Sequence, residues 1–359
     1  MPKIQSVSSF MPPYSYSQEE ASKLMKHLFT DHYADLERML KVFENGEIES
    51  RQFCVPMEWF EHTHDLEERN RLYIELATSY GVLAINACLQ SQEFLVQSVH
   101  PSEIDAIFFI SSTGFSTPSI EARILNQLPF SDYVKRIPIW GLGCAGGASG
   151  MSRAFDYCLA YPKAKILVLC VELCSLTFQP NDYSKSNLIG ASLFADGVAC
   201  ALVCGDDVDI QSKKPCPTFV ATASKTMANS ENVMGWDMKN DGLHVVFSKS
   251  IPSIIEKWLE PFVTDFLKDH QLTPDQLDYF IAHPGGKKVL SAYESALGFD
   301  SSKTEISRKI LRKHGNMSSP TVLYVLESFM KLESSVGDIG LLAALGPGFS
   351  GELILLEWQ

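Results

Sequence analysis

The sequence lacks most of the features that would assign a chain to a bilayer, a secretory route or a nucleic acid. Its apolar runs, such as Ile166-Leu167-Val168-Leu169-Cys170-Val171, stop far short of the roughly 20 apolar residues that a spanning helix needs. It also lacks a basic stripe: 30 lysines and arginines stand against 43 acidic residues, and the formal net charge is -13 at pH 7. Neither a nucleic-acid partner nor adhesion to an anionic membrane is expected of such a chain. The amino terminus, Met1-Pro2-Lys3-Ile4-Gln5-Ser6, has no apolar signal region. Together these features point to the cytoplasm.

Cysteine is present, but not as a framework. Nine is an odd number. The pairs Cys170/Cys174 and Cys200/Cys204 lie in or beside strand-like apolar runs, whereas zinc ligands usually sit on turns among glycines or polar residues. His62-Thr63-His64 offers two imidazoles with no third ligand at a useful spacing. No metal site is expected, and most of the cysteines read as small core residues in a reducing compartment. Cys144 stands apart from them.

What the chain does have is apolar material. Of its 359 residues 45% are hydrophobic and 20% charged, enough for a sizeable core and for two domains or one fold of two similar halves. Helical spacing runs through Gln18 to Asn45, as one or two helices, and through Leu66 to Leu89, with Asp65 available as a cap. A strand over Ile104 to Ile110 ends in Ser111-Ser112-Thr113-Gly114. A second apolar run, Ile137 to Trp140, leads into Gly141-Leu142-Gly143-Cys144-Ala145-Gly146-Gly147. A helix from Ala148 to Leu159 follows, stopped by Pro162, and then strands over Ile166 to Val171 and Val198 to Val203.

The same plan recurs further on. Pro274-Asp275-Gln276-Leu277-Asp278 opens a short strand, Tyr279 to Ala282, that ends in His283-Pro284-Gly285-Gly286. His314-Gly315-Asn316-Met317-Ser318-Ser319 then precedes a helix from Thr321 to Leu332 and another apolar strand. Cys144 and Asn316 fall at nearly equal distances before Ile166 and Ile339. The pattern indicates an α/β chain built from one supersecondary plan used twice. Residues 1–213 form the half with Cys144 and 219–359 the half with His283 and Asn316, divided at Lys213-Lys214-Pro215-Cys216-Pro217.

That duplication would turn three distant residues into one site. Cys144, in a glycine cage at a helix start, is a candidate nucleophile whose thiol the helix dipole should acidify. The bland alternative is a buried cysteine in a packing turn. His283, on a tight turn, would pair with the thiolate and donate to a developing oxyanion, although a lone histidine at a strand end is more often structural. Asn316 before a helix is usually a cap, but its amide could complete an oxyanion hole without adding charge. Cys-His-Asn also serves thiol hydrolases, so the trio alone does not choose the reaction.

Gly143-Cys144-Ala145-Gly146-Gly147, Leu193-Phe194-Ala195-Asp196-Gly197, His283-Pro284-Gly285-Gly286 and Gly315-Asn316-Met317-Ser318-Ser319, in this order, resemble the chalcone synthase-like or type III polyketide synthases. Met234-Gly235-Trp236-Asp237 is similar to a stretch of their bacterial members, of the alkylpyrone synthase type. The resemblance implies a thiolase fold, two pseudo-repeated halves in a five-layered αβαβα arrangement, and a homodimer. It implies Cys144 as nucleophile, His283 and Asn316 as holders of the thioester oxygen, and Phe194 at the mouth of the CoA tunnel. Thr117 falls where plant enzymes place a methionine reaching across the dimer, and Val245 where they place a second gatekeeping phenylalanine. Cys174, Thr177 and Ser318 are placed at the cavity, and Arg51 is the candidate for the CoA phosphates.

The activity implied is repeated decarboxylative condensation of malonyl-CoA onto an acyl-CoA starter held on Cys144, without metal or redox cofactor. Ala344-Leu345-Gly346-Pro347-Gly348 departs from the plant loop, and the smaller gate residues suggest a long fatty acyl starter with alkylpyrone or alkylresorcinol products. Two rivals remain at this point. A ketoacyl synthase III, which condenses once, normally carries His-Gln-Ala-Asn where this chain has His283-Pro284-Gly285-Gly286. A thiol-dependent acyl hydrolase would act without malonyl-CoA.

Overall fold

The structure is a computed structural model that describes residues 1–359 except 31 and 34. Its strands are β1 (Lys3–Phe10), β2 (Tyr14–Ser17), β3 (Ser50–Phe53), β4 (Ala106–Ser111), β5 (Lys135–Trp140), β6 (Lys165–Leu173) and β7 (Asp196–Cys204), then β8 (Pro217–Thr226), β9 (Met234–Lys239), β10 (Gly242–Phe247), β11 (Tyr279–Ala282), β12 (Ile339–Gly346) and β13 (Ser350–Trp358). Its helices are α1 (Gln18–Phe29), α2 (Leu36–Asn45), α3 (Leu66–Leu89), α4 (Ile120–Ile124) and α5 (Gly146–Ala160), then α6 (Lys185–Leu193), α7 (Ile251–Asp269), α8 (Lys287–Leu297), α9 (Glu305–His314) and α10 (Thr321–Met330).

Strand periodicity explains the layering. Along β6, Leu167, Leu169 and Val171 face one core while Ile166, Val168 and Cys170 face another. Along β13, Ile354, Leu356 and Trp358 join that second core while Leu353 and Leu355 face a third. Strands buried on both faces must be apolar at every position, which is why these segments read as unbroken hydrophobic runs. The first core holds α3, the central one holds α5 and α10, and the third holds α7 and α8. The result is five layers, helix and sheet alternating.

The strand order β11-β12-β13-β8-β1-β7-β6-β4-β5 records the duplication. Reading outward from the centre, β1-β7-β6-β4 answers β8-β13-β12-β11. β4 and β6 pair in parallel around the α5 crossover, as β11 and β12 do around α10. The two half-sheets meet through the pair Lys3↔Thr218. This is the twice-used plan that the sequence pattern indicated, in the thiolase arrangement that the family resemblance implied.

Two local differences from the sequence reading have physical causes. α5 begins at Gly146, two residues before the expected start, because Gly146 and Gly147 lie against Ser319 of the facing half, where packing overrides the low helix propensity of glycine. α3 is long and apolar enough, by length and composition, to cross a bilayer. Here it is a core helix instead, capped by Asp65, which accepts from the Glu68 amide at 2.8 Å, and packed on β1, β6 and β7.

Candidate active site

Cys144 sits in the single 3-10 turn Gly143–Ala145, between the end of β5 and the start of α5. The turn is held from the other half. A side chain at Gly346 would collide with Ala145 Cβ and the Leu142 carbonyl, each at 2.6 Å, so the loop after β12 lies directly on the nucleophile turn. Asn316, on the equivalent turn before α10, is fixed by three bonds. Its backbone N–H donates to the Leu193 carbonyl at 2.9 Å, its Oδ1 accepts from Ser318 N–H at 2.8 Å, and its Nδ2 donates to the Gly285 carbonyl at 3.2 Å. What remains of the amide lies 3.8 Å from Cys144 Sγ. The Ser318 bond depends on a left-handed backbone at that residue, φ 61°.

His283 follows β11, and its N–H donates to Ala343 of β12 at 2.8 Å. Its ring is buried, and neither nitrogen has a hydrogen-bond partner among the described residues. Buried imidazoles are rarely left without partners, so these two nitrogens mark a position for a ligand atom. The duplicated plan thus brings Asn316 against Cys144, and ties Asn316 to the turn that carries His283.

The electrostatics differ from the sequence expectation. Burial, partly offset by the hydroxyl of Ser318 and the amide of Asn316, pushes the Cys144 thiol up to about 11, where a helix-dipole argument gave a lowered value. Burial also pushes His283 down to about 3. The physical reason is desolvation: a dry cleft penalises either charge alone by more than one helix end supplies. The thiolate and imidazolium would stabilise each other only if formed together. At neutral pH His283 is otherwise a neutral N–H donor, which suits it to an oxyanion.

Next to the Asn316 turn, reached through Phe194, opens an apolar pocket whose empty space of about 550 Å³ runs on into solvent. Cys174, Thr177, Phe194 and Val245 all line it, with Leu24, Met25 and Phe60 further in. Phe194 caps α6 and packs its ring on Phe247 at 5.5 Å and Trp236 at 5.7 Å. Ser318 is buried beside the thiol. Thr117 is exposed on the loop after β4 and takes no part in this pocket.

Arg51 corrects the sequence reading. It is 2% exposed, and its Nη1 donates to the carbonyls of Ala191 at 2.6 Å and Phe194 at 2.7 Å. Its guanidinium also lies over the Phe53 ring. The side chain thus holds the gate loop, while its Nη2 has no partner among the described residues and the residue lines the pocket. The other discounted groups are structural too. All nine cysteines are free. His64 contacts the Trp59 carbonyl and Glu68, each at 2.9 Å. Among the described residues no cluster of three metal-ligating side chains occurs.

Sequence reasoning missed two buried groups near the thiol. Glu172 accepts from Ser112 N–H at 2.9 Å, Ser112 Oγ at 3.0 Å and Ser319 Oγ at 2.8 Å, joining the two halves beneath Cys144. Burial raises its carboxyl to about 7. A carboxylate inside the apolar run Cys170-Val171-Glu172-Leu173 was a readable signal. Tyr293 of α8 is fully buried with a hydroxyl unpartnered among the described residues, and burial, then the Cys144 thiolate, raises its phenol. A tyrosine at helical spacing gives no such signal.

Comparison with known proteins agrees with this arrangement. Residues 11–207 match the N-terminal domain of chalcone and stilbene synthases, and residues 218–358 the C-terminal domain. The chain belongs to that family, the type III polyketide synthases. A protein of Bacillus subtilis (strain 168) carrying the chalcone synthase name is 49% identical over 359 residues, 99% of this chain and 98% of that one. The alpha-pyrone synthesis polyketide synthase-like Pks18 of Mycobacterium tuberculosis is 27% identical, over 99% of this chain and 90% of that one. The crystal structure of 1,3,6,8-tetrahydroxynaphthalene synthase from Streptomyces coelicolor A3(2), a bacterial type III polyketide synthase, superposes with a TM-score of 0.91. It is 30% identical and each chain covers 99% of the other. This polyketide synthase is accordingly an acyltransferase that takes acyl-CoA and malonyl-CoA.

Proposed function

We propose that this synthase loads a long-chain fatty acyl-CoA, extends it with malonyl-CoA and closes the product to an alkylpyrone or alkylresorcinol. The observation that carries the reading is the apolar pocket behind Phe194, lined by Val245 and small polar groups, which offers an apolar surface to an aliphatic chain. The pyrone-forming name of the Mycobacterium tuberculosis relative supports it.

The assigned roles follow from the chemistry. Cys144 gives its proton to His283 as the sulfur attacks the starter carbonyl, and CoA leaves as the thiol once that proton returns. Malonyl-CoA then enters. Loss of CO2 leaves an electron pair as an enolate, whose oxygen receives the N–H of neutral His283 and the free N–H of Asn316. The enolate carbon attacks the acyl thioester, a C–C bond forms, and the Cys144 thiolate is released to accept the longer chain. Decarboxylation supplies the carbanion, so the cycle draws on no metal or redox cofactor.

Two further assignments belong to this reading. The protein is a cytoplasmic homodimer, and Thr117, exposed in one protomer, reaches the partner's cavity. The halves 1–213 and 219–359 divide the labour between nucleophile and oxyanion donors.

Mass spectrometry of products from the purified enzyme, malonyl-CoA and a graded series of acyl-CoAs tests the proposal, with Cys144→Ala beside it. Pyrones or resorcinols made best from long starters, and absent in the variant, are expected. A naphthol formed without a starter, a single condensation product, or free acid alone would each refute the product assignment.

A further inference from the structure

The hairpin β9–β10 closes one side of the acyl pocket. Trp236 and Val245 line that pocket, and Trp236 and Phe247 hold the Phe194 ring. The hairpin forms its own two-stranded sheet, apart from the nine-stranded one. Two strands alone are marginally stable in water, so side-chain ties to the rest of the molecule must fix its position. One tie is Gln179, whose Nε2 donates to the Leu243 carbonyl at 3.3 Å and lies 3.5 Å from that of Asp241.

The second tie is His244, which is buried at 7% exposure. Its Nε2 lies 2.9 Å from Asp241 Oδ1, within the hairpin. Its Nδ1 lies 3.1 Å from Asp182 Oδ2, on the loop that leads into α6. Lys239 Nζ stands 3.3 Å from that same Nδ1. These two neighbours make opposite demands. Asp182 needs a proton on Nδ1, whereas Lys239 can donate only to an unprotonated Nδ1. With Asp241 holding the Nε2 proton, an Nδ1–H bond to Asp182 requires the imidazolium.

We propose that His244 is a latch that ties the β9–β10 hairpin to the Asp182 loop across the acyl pocket and so sets which acyl chains the pocket accepts. The effect on chain selection rests on the acyl-pocket reading above; the latch does not. The charged groups around it are Asp182, Asp241 and Lys239, with Arg69 of α3 acting on Asp241 and Tyr33 beside Asp182. Arg69 is itself held by the carbonyls of His64, Leu176 and Phe178, so it remains a fixed positive charge and is not an alternative partner. His244 is a positioning residue: it does not line the pocket and does not touch the Cys144 turn.

Hydrogen exchange on the full-length enzyme tests this directly, with His244→Gln and Asp182→Asn as variants that keep the side-chain size. In both variants protection of residues 234–247 should fall about tenfold below that of the wild type, the scale of one charge-assisted bond. In His244→Gln the ratio of kcat/KM for long over short acyl-CoAs should drop about tenfold while malonyl-CoA decarboxylation is retained. Equal protection in wild type and both variants would overturn the latch. Exchange needs no turnover, so failure of the acyl-pocket reading would show in the products and leave the exchange result unchanged.

Discussion

Gly147→Ala places a single methyl group at the joint between the two halves. On the first turn of α5, a Cβ at this position would lie 2.2 Å from the Ser319 carbonyl oxygen and 3.0 Å from Val322 Cγ1. Carbon and oxygen approach comfortably only to about 3.3 Å, so the α5 start and the Asn316–Ser319 turn must part by roughly 1 Å. The 3.8 Å approach of Cys144 to Asn316 spans this joint. A 1 Å misplacement of reacting groups costs about 100-fold in rate. The stability term is smaller, because overpacking costs about 1–3 kcal/mol while replacing a helical glycine by alanine returns close to 1 kcal/mol. Malonyl-CoA decarboxylation should therefore fall about 100-fold while the melting temperature drops only a few degrees. Gly46→Ala, whose Cβ would sit at an ordinary 3.4 Å from the Val42 carbonyl, is the control and should change neither. Gly147→Ala with activity within about threefold of wild type would show that this joint does not set the catalytic geometry.

The remaining predictions address charge. Burial already holds the Cys144 thiol at about 11 beside a neutral His283, so His283→Gln should leave the pH profile of iodoacetamide alkylation close to that of the wild type. A profile moved to higher pH in the variant would show a resting thiolate–imidazolium pair and overturn this reading. Arg51→Lys loses the planar guanidinium that lies over Phe53 while holding both carbonyls, and it should lower the melting temperature with the KM for malonyl-CoA unchanged. A raised KM at constant stability would return Arg51 to the CoA phosphates. Burial raises the Glu172 carboxyl from 4.5 to about 7. The folded state thus binds this proton more tightly, and the stability it contributes is full below pH 4.5 and lost as pH rises to about 7. Glu172→Gln should lack that decline, a difference of up to about 3 kcal/mol above neutrality by denaturant titration. Parallel pH curves for the two proteins would contradict it.

The layers were legible because burial on both faces writes itself into composition. β6 and β7 are apolar at nearly every position, and no one-sided strand reads that way. The turns bearing Cys144, His283 and Asn316 were legible because close approach of backbone selects glycine in short, ordered strings. Residues whose roles depend on distant partners were not. Arg51 reads as an exposed cation on a short strand, yet its burial is set by the carbonyls of Ala191 and Phe194, far along the chain. His244 reads as one polar residue in an alternating strand, and nothing near it announces Asp182. The acidity expected for Cys144 failed for a related reason. A helix start is visible in sequence, but the depth of the cleft that opposes it is a property of the assembled halves.

That depth gives the site its chemical character. Decarboxylation develops a single negative charge on the thioester oxygen, and a dry cleft would oppose this charge as it opposes a lone thiolate. The difference lies in the donors. Neutral His283 has both ring nitrogens unpartnered among the described residues, and Asn316 has one amide N–H directed away from its structural bonds. In low dielectric, two prepositioned N–H groups are worth more than the same groups in water, and they need no reorganisation when charge appears. A permanently charged histidine would bind the resting thiolate tightly and hold back its attack on the starter. Burial that keeps His283 near a value of about 3 therefore serves the enolate step, while the coupled proton transfer from Cys144 is left to the moment of loading.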